Sequence, residues 1–258
     1  MAGLDLGRVA VITVVIWKWG NKFTVGHVTR MQKMLARHLS LPHRIVCITD
    51  KPKELPGDII PAPMPKVAIL PWDNKGLRRM WLYSAEAGKL GDRLFQLDLD
   101  VILTDSIDPI VNRPEPFVIW KSDSNWKDKW AYNATVMLIT PGAKEDVWQR
   151  YIRDPKRAFR ESDEDGWGPK VNSDQALACY LMKDQEIPVW TSTDGITAYR
   201  VFAGKHGDRE CRPECVDGGA GCGVHLPSGC RLVSFHGPRD PSVPDLQRKS
   251  PWIREHWC

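Results

Sequence analysis

Apolar runs alternate with helical patterns through the first half of the chain. Residues 8–16 and 44–49 are rich in β-branched side chains, which predicts two buried strands. Between them, residues 25–39 place apolar side chains at helical spacing with basic side chains on the opposite face. Residues 51–71 contain six prolines and predict an extended loop, with a short strand at 58–60.

The alternation continues into the second half. Residues 77–89 predict a helix that Gly91 closes, and residues 93–97 predict a third strand. Further strands are predicted at 116–120, 135–140 and 232–236, and further helices at 145–152 and 173–183. This order predicts an α/β fold with a mainly parallel central sheet flanked by helices. In such sheets, ligands bind beyond the carboxyl ends of the strands.

The periodic pattern stops near residue 204. Residues 204–230 are rich in Gly and Cys and predict an irregular insertion. Residues 237–258 carry four prolines and two tryptophans and predict a tail with little regular structure. We therefore expect residues 1–258 to form a single domain that carries one irregular insertion and a C-terminal tail.

The composition is that of an ordinary globular protein. The chain has 258 residues, 42% hydrophobic and 26% charged, with a formal net charge of +4, which permits an anionic partner without requiring one. No stretch approaches the roughly 20 apolar residues of a membrane span. The opening run at 9–17 lacks the basic segment and the cleavage site of a signal peptide. We therefore expect a cytoplasmic protein.

Two carboxylates follow the third predicted strand. Asp98 and Asp100 are two positions apart, so on an extended chain their side chains point to the same side. Such carboxylates repel each other unless a cation neutralises them. A hard divalent ion does so and can also bridge to a diphosphate. The alternative is a solvated pair at a strand end.

The segment around these aspartates resembles a known family. Residues 97–110 (LDLDVILTDSIDPI) are similar to the D-x-D region of glycogenin-like and galactosyltransferase-like enzymes, and of small glycosyltransferase-like proteins of bacteria and their phages. Four further segments match in the same order: 72–75 (WDNK), 133–137 (NATVM), 173–175 (SDQ) and 234–241 (SFHGPRDP). The resemblance implies a GT-A fold of Rossmann-like character. It also implies metal-dependent transfer of a sugar from a nucleotide-sugar, a UDP-sugar above all, to a hydroxyl acceptor, with retention at the anomeric carbon.

The resemblance also implies roles for individual residues. Asp98, Asp100 and His236 would bind Mn²⁺ or Mg²⁺, and an imidazole ligand favours Mn²⁺. Asp174, Gln175 and Asn133 would contact the reacting sugars. The predicted contacts to the nucleotide and its diphosphate are Ile12, Thr13, Val14, Lys75, Asp98, Leu99, Asp100, Gly237 and Arg239.

Features of the sequence weaken two of these assignments. Asp174 lies in the first turn of a predicted helix, where the helix dipole favours a carboxylate in any protein. The family's ending has Lys-Pro where this chain has Arg239, Asp240 and Pro241. That departure weakens the assignment of Arg239 to the diphosphate.

The insertion contains four of the chain's seven cysteines. Cys211, Cys215, Cys222 and Cys230 lie within twenty residues, with His206 and His225 nearby. Structural Zn²⁺, unpaired thiols and disulfides all remain open. No C-x₂-C pair is present, which is unfavourable for a zinc ribbon.

Two other functions remain in view. A sugar nucleotidyltransferase should carry a Gly-rich phosphate loop after the first strand, whereas residues 17–22 contain one glycine. A non-catalytic protein could use some of the twelve tryptophans to hold a glycan or a nucleic acid, although the intact D-x-D argues against it. For a transferase, the acceptor could be a glycan, a lipid-linked sugar, a protein side chain or a hydroxylated DNA base.

Overall fold

The computed structural model describes residues 11–67, 76–121, 132–164, 174–203, 223–235 and 239–258. The strands are β1 (Ile12–Lys18), β2 (His43–Thr49), β3 (Ile60–Pro63), β4 (Leu94–Leu97), β5 (Val101–Leu103), β6 (Phe117–Lys121), β7 (Tyr132–Ile139), β8 (Val189–Trp190), β9 (Ile196–Ala198) and β10 (Leu232–Ser234). The α-helices are α1 (Val25–His38), α2 (Asp108–Val111), α3 (Glu145–Arg153), α4 (Pro155–Glu164), α5 (Asp174–Leu181), α6 (Tyr199–Ala203), α7 (Pro244–Lys249) and α8 (Trp252–His256). Short 3₁₀ helices span Pro52–Glu54, Gly76–Tyr83, Ala85–Leu90 and Ser192–Asp194.

A seven-stranded sheet forms the centre of the molecule, in the order β3-β2-β1-β4-β7-β6-β8. β7 is antiparallel to both of its neighbours, and the other pairs are parallel. All seven residues of β1 are buried, as expected for a parallel strand that is covered on both faces. The predicted α/β architecture with a mainly parallel sheet is therefore confirmed.

A second, three-stranded sheet has the order β5-β10-β9. The chain leaves the large sheet at Leu97 and enters the small sheet at Val101, so Asp98 and Asp100 lie on the crossing segment. Backbone hydrogen bonds hold this segment at both ends, from Asp98 N to Thr135 O at 3.1 Å and from Phe235 N to Asp100 O at 2.9 Å. The backbone of both aspartates is thus fixed at the point where the chain crosses from one sheet to the other.

Two apolar layers cover the faces of the large sheet. One layer joins α1, the small sheet and the C-terminal helices to one face. The other packs the 3₁₀ helices after residue 76, together with α3 and α5, on the opposite face. In the part of the chain that the structure describes, no helix is long and apolar enough to cross a membrane.

Local structure differs from the sequence prediction at two places. The helix predicted at 77–89 forms two 3₁₀ helices instead, because Ser84 between them has an extended backbone with φ −80° and ψ 155°. The C-terminal tail was expected to lack regular structure, yet it forms α7 and α8. These helices form because Leu246, Trp252 and Ile253 are buried against the body of the protein.

Candidate active site

Asp98 is held by three polar side chains at the carboxyl end of β4. Its Oδ1 accepts hydrogen bonds from Arg79 Nη1 at 2.6 Å and from Gln96 Nε2 at 3.2 Å. Its Oδ2 accepts one from Thr135 Oγ1 at 3.0 Å. Thr135 is on β7, which pairs with β4, so the sheet itself brings this hydroxyl to the carboxylate. The orientation of Asp98 is therefore fixed from several directions.

Arg79 joins Asp98 to Asp174. Its Nη2 donates to Asp174 Oδ1 at 2.8 Å, and its Nε lies 2.7 Å from Asp174 Oδ2 as an ion-pair contact. Burial opposes the charged form of Arg79, but the two carboxylates outweigh it, so the pKa of Arg79 lies above its ordinary value. Arg79 is therefore a permanent positive charge between two carboxylates from distant parts of the chain.

Asp100 is the more buried member of the D-x-D pair, with 8% of its side chain exposed. Its Oδ2 accepts a hydrogen bond from Lys22 Nζ at 3.1 Å. Burial, followed by the negative charge of Asp98, raises the pKa of Asp100 to about 6, although Lys22 acts in the opposite direction. The negative charge of Asp98 therefore disfavours the charged form of Asp100, and a bound metal ion at this pair stays a prediction.

A hydrogen-bonded chain supports Asp98 from inside the sheet. Trp17 Nε1 donates to Gln96 Oε1 at 2.7 Å, which leaves the amide nitrogen of Gln96 to donate to Asp98. Trp17 and Gln96 are both buried. Because both the oxygen and the nitrogen of this buried amide are hydrogen-bonded, the amide cannot rotate freely, and Gln96 therefore fixes the position of Asp98.

The residues predicted to contact sugars lie at this same edge of the sheet. Asp174 begins α5 and is buried against Arg79. Gln175 follows it and is half-buried. Asn133 is on β7, two residues before Thr135, and its Oδ1 accepts a hydrogen bond from Thr135 N at 2.9 Å. The structure therefore gathers these residues around the D-x-D segment.

The structure does not bring Ile12, Thr13 and Val14 to the site. The register pairs Thr13 with Leu94 and Val14 with Phe95, at the start of β4 rather than at its carboxyl end. These three residues therefore lie toward the opposite edge of the sheet, away from Asp98. The later residues of β1 reach the D-x-D edge instead, and the contact of Ile12, Thr13 and Val14 with the nucleotide stays a prediction.

A cleft of about 400 Å³ lies at that opposite edge, and Ile12 lines it together with Arg93. Arg93 donates to Thr140 Oγ1 and to the backbone carbonyls of Arg113 and Glu115 at 2.7–3.0 Å. Its guanidinium therefore has protein partners that tie β4 to the segment before β6. This cleft is separate from the site at Asp98 and Asp100.

The remaining predicted residues fall into two groups. Leu99 is 1% exposed and packs in the core, so only its backbone could meet a ligand. Arg239 is half-buried, and Cys230 is a buried free thiol whose pKa burial raises to about 11. The following predicted residues lie outside the described residues: Lys75, Cys211, Cys215, Cys222, His236 and Gly237.

The chemistry of the carboxylate pair fits a hard divalent cation. Carboxylate oxygens are the ligands that Mg²⁺ and Mn²⁺ prefer, and a cation would offset both the burial and the Asp98 charge that raise the pKa of Asp100. Across the described ranges, no group of three or more His, Cys, Asp and Glu side chains is arranged to hold a metal. The predicted further ligand, His236, lies outside those ranges.

The two cations of this site, Arg79 and Lys22, were not predicted from the sequence. Arg79 follows Arg78 in the chain, and nothing in the pattern distinguishes one from the other. Lys22 lies in the polar loop after β1, where a solvated lysine is the ordinary expectation. Both reach the site through contacts that form only when the chain folds.

Comparison with known proteins gives matches in structure and none in sequence. No protein-family model matches the chain, and no curated protein matches it. The galactosyltransferase LgtC, solved with donor and acceptor sugar analogues, superposes with a TM-score of 0.55 at 16% identity, covering 95% of this chain and 96% of that one. A second LgtC structure, an active-site glutamine-to-glutamate mutant, gives 0.53 at 15% identity, over 94% and 95%.

The glycosyltransferase GlyE of Streptococcus pneumoniae is also similar. Its TM-score is 0.58 at 16% identity, covering 96% of this chain and 61% of that one. At these identities the likeness concerns the fold. The chain therefore has the GT-A fold of these glycosyltransferases, which confirms the fold that the sequence resemblance implied.

Proposed function

We propose that this protein transfers a sugar from a nucleotide-sugar, a UDP-sugar in the first instance, to a hydroxyl acceptor, with a divalent cation at Asp98 and Asp100. One observation carries the proposal. Asp98 and Asp100 lie on the segment that crosses between the two sheets, and Arg79 links Asp98 to the carboxylate of Asp174. This arrangement lies at the carboxyl edge of a GT-A sheet, where α/β proteins bind their ligands.

Asp98 and Asp100 would hold Mn²⁺ or Mg²⁺, with His236 as the further ligand that the sequence resemblance implies. When bound, such a cation neutralises the diphosphate of the donor and stabilises it as the leaving group. The protein's own contribution is the fixed geometry of the pair. Thr135 and Gln96 orient Asp98, while backbone contacts at both ends hold the crossing segment.

Asp174 and Gln175 would contact the donor sugar. Asp174 would accept hydrogen bonds from sugar hydroxyls, and its hydrogen bond from Arg79 would fix the orientation of its carboxylate. One LgtC structure is that of an active-site glutamine-to-glutamate mutant, and in this chain Gln175 directly follows Asp174. Asn133, on the neighbouring strand, would contact the donor or the acceptor sugar. Retention at the anomeric carbon follows from the resemblance to the glycogenin-like group.

The test measures binding of UDP-, GDP- and CMP-sugars by calorimetry, with and without Mn²⁺, together with slow hydrolysis of the bound donor. We expect one nucleotide-sugar to bind only with Mn²⁺ and to be hydrolysed slowly. Asp100→Asn should lose both properties. Asp92→Asn removes the same charge from an exposed position near the opposite edge of the sheet and should retain them.

The outcomes separate the candidate functions. Metal-dependent binding with hydrolysis supports a transferase and opens a screen of glycan, protein and hydroxylated-DNA acceptors. If the protein binds a glycan or a nucleic acid but no nucleotide-sugar, the transferase proposal is wrong and a non-catalytic binding protein takes its place. Binding that Asp100→Asn leaves unchanged would remove the D-x-D from the site.

A further inference from the structure

Lys22, the cation that contacts Asp100, is far more exposed than Arg79, the cation that contacts Asp98. Lys22 Nζ lies 3.1 Å from Asp100 Oδ2, yet 61% of the lysine side chain is exposed. The same ammonium lies 4.4 Å from the centroid of the Phe23 ring. By contrast, the side chain of Arg79 is 20% exposed and contacts two carboxylates. Asp100 is therefore neutralised by a cation at the surface.

The backbone around Lys22 is held in place, which leaves its side chain as the part that can move. Gly20 N donates to Asp50 Oδ2 at 3.1 Å, and Lys51 Nζ donates to Asn21 Oδ1 at 3.0 Å. These contacts tie the loop between β1 and α1 to the residues that follow β2. A lysine ammonium on a flexible stem can then exchange partners without a change in the loop.

A solvated ammonium and a divalent cation compete for the same carboxylate. Because 61% of the Lys22 side chain is already exposed, its ammonium stays hydrated when a divalent cation takes its place at Asp100. Once displaced, the ammonium remains tethered beside the site and is repelled by the new cation. The group that would next attract it is the diphosphate of the donor, because lysine binds phosphate as a point charge.

We propose that Lys22 is an exchangeable cation: it neutralises Asp100 before the metal binds and then moves to the diphosphate of the nucleotide-sugar. This inference rests on the proposed function, since it requires a metal at Asp100. It assigns a diphosphate contact to the loop after β1. It also gives the order of events, because the carboxylate becomes available to the lysine again once the metal leaves.

The inference predicts effects of opposite sign for one substitution. In Lys22→Met, Mn²⁺ alone should bind about two- to fivefold more tightly, because no ammonium must be displaced. At saturating Mn²⁺, UDP should bind about tenfold more weakly or worse, because a charged contact to the diphosphate is lost. A lysine that only supports the loop would weaken both or change neither.

Calorimetry with Mn²⁺ alone, followed by UDP at saturating Mn²⁺, tests this on the full-length protein. Lys53→Met is the matched control, because it removes the same charge from an exposed position after β2 and leaves the contacts of the Lys22 loop intact. It should leave both affinities near those of the wild type. Thermal melting of each variant verifies that it is folded before the affinities are compared.

The results distinguish the two proposals. Tighter Mn²⁺ binding with weaker UDP binding in Lys22→Met alone supports the exchange. Unchanged or weaker Mn²⁺ binding in Lys22→Met, in a protein whose Mn²⁺ binding Asp100→Asn abolishes, overturns the exchange and leaves the proposed function intact. Absence of Mn²⁺ binding in the wild type overturns the metal site, and the exchange with it.

Discussion

Replacing Arg79 by methionine should cost the protein more stability than the loss of a typical surface ion pair. The substitution keeps most of the side-chain volume but removes the positive charge that Asp98 and Asp174 share. Their side chains are 20% and 8% exposed, so water can compensate little of the loss. Removing one partner from a buried pair costs about 3–5 kcal/mol, and the partial exposure of Asp98 places the expected value near about 3 kcal/mol.

Urea denaturation and thermal melting measure this effect. For a domain of this size, about 1 kcal/mol corresponds to a shift of about 2–4 °C in Tm, so we expect a drop of about 6–12 °C. Arg157→Met is the control, because its ion pair with Glu161 involves an arginine side chain that is 65% exposed. That variant should stay close to the wild type in both measurements.

A double substitution isolates the interaction. Arg79→Met combined with Asp174→Asn removes the carboxylate that the first change leaves unpaired, so the double variant should lose less stability than the sum of the single variants. The coupling should exceed about 1 kcal/mol. If Arg79→Met were as stable as Arg157→Met, the two carboxylates would not depend on the guanidinium, and the reasoning from burial would be refuted.

Three further predictions concern other parts of the fold. Gly91→Ala should lower the free energy of unfolding, measured in urea, by about 2 kcal/mol or more. Its φ is +148°, and a Cβ there would overlap the hydroxyl of the buried Thr13. Gly57→Ala is the control, because open space surrounds it, and it should stay near the wild type. Of the cysteines in the described ranges, Cys258 should react first with a thiol reagent followed by mass spectrometry, because the others are buried; rapid labelling of those others would refute the packing. Burial opposes ionisation of Asp240, but hydrogen bonds from His27 and from a following serine lower its pKa to about 2, below its value in the unfolded chain. The stability that this carboxylate contributes is thus present above about pH 4 and is lost as the pH falls toward 2. In urea titrations between pH 5 and pH 2, the unfolding free energy of the wild type should fall by about 1–2 kcal/mol more than that of Asp240→Asn.

The sequence identified the parts of this protein that depend on local spacing. Alternating strand and helix patterns indicated the parallel sheet, because those periods record which side chains face the core. Asp98 and Asp100 were identified as a pair because side chains two apart on an extended chain share a side. Both features can be recognised without knowing which distant segments will meet.

Register and side-chain contacts could not be obtained in the same way. Ile12–Val14 were assigned to the nucleotide, but the pairing of β1 with β4 places them at the opposite end of the strand. A run of buried residues has the same appearance at either end of a strand, and only the pairing decides which end reaches the site. The 3₁₀ geometry after residue 76 was missed for a related reason, since apolar positions in an α-helix and in a 3₁₀ helix differ little over two turns.

The tertiary structure alone decided how the site is neutralised. Arg79 is 95 residues from Asp174, and Lys22 is 78 residues from Asp100. No periodicity connects such positions, because their proximity depends on the crossing between the two sheets and on the helices packed beside it. The sequence determined that two carboxylates would stand together at a strand end. The fold determined which cations they meet, and that one of those cations is 20% exposed while the other is 61% exposed.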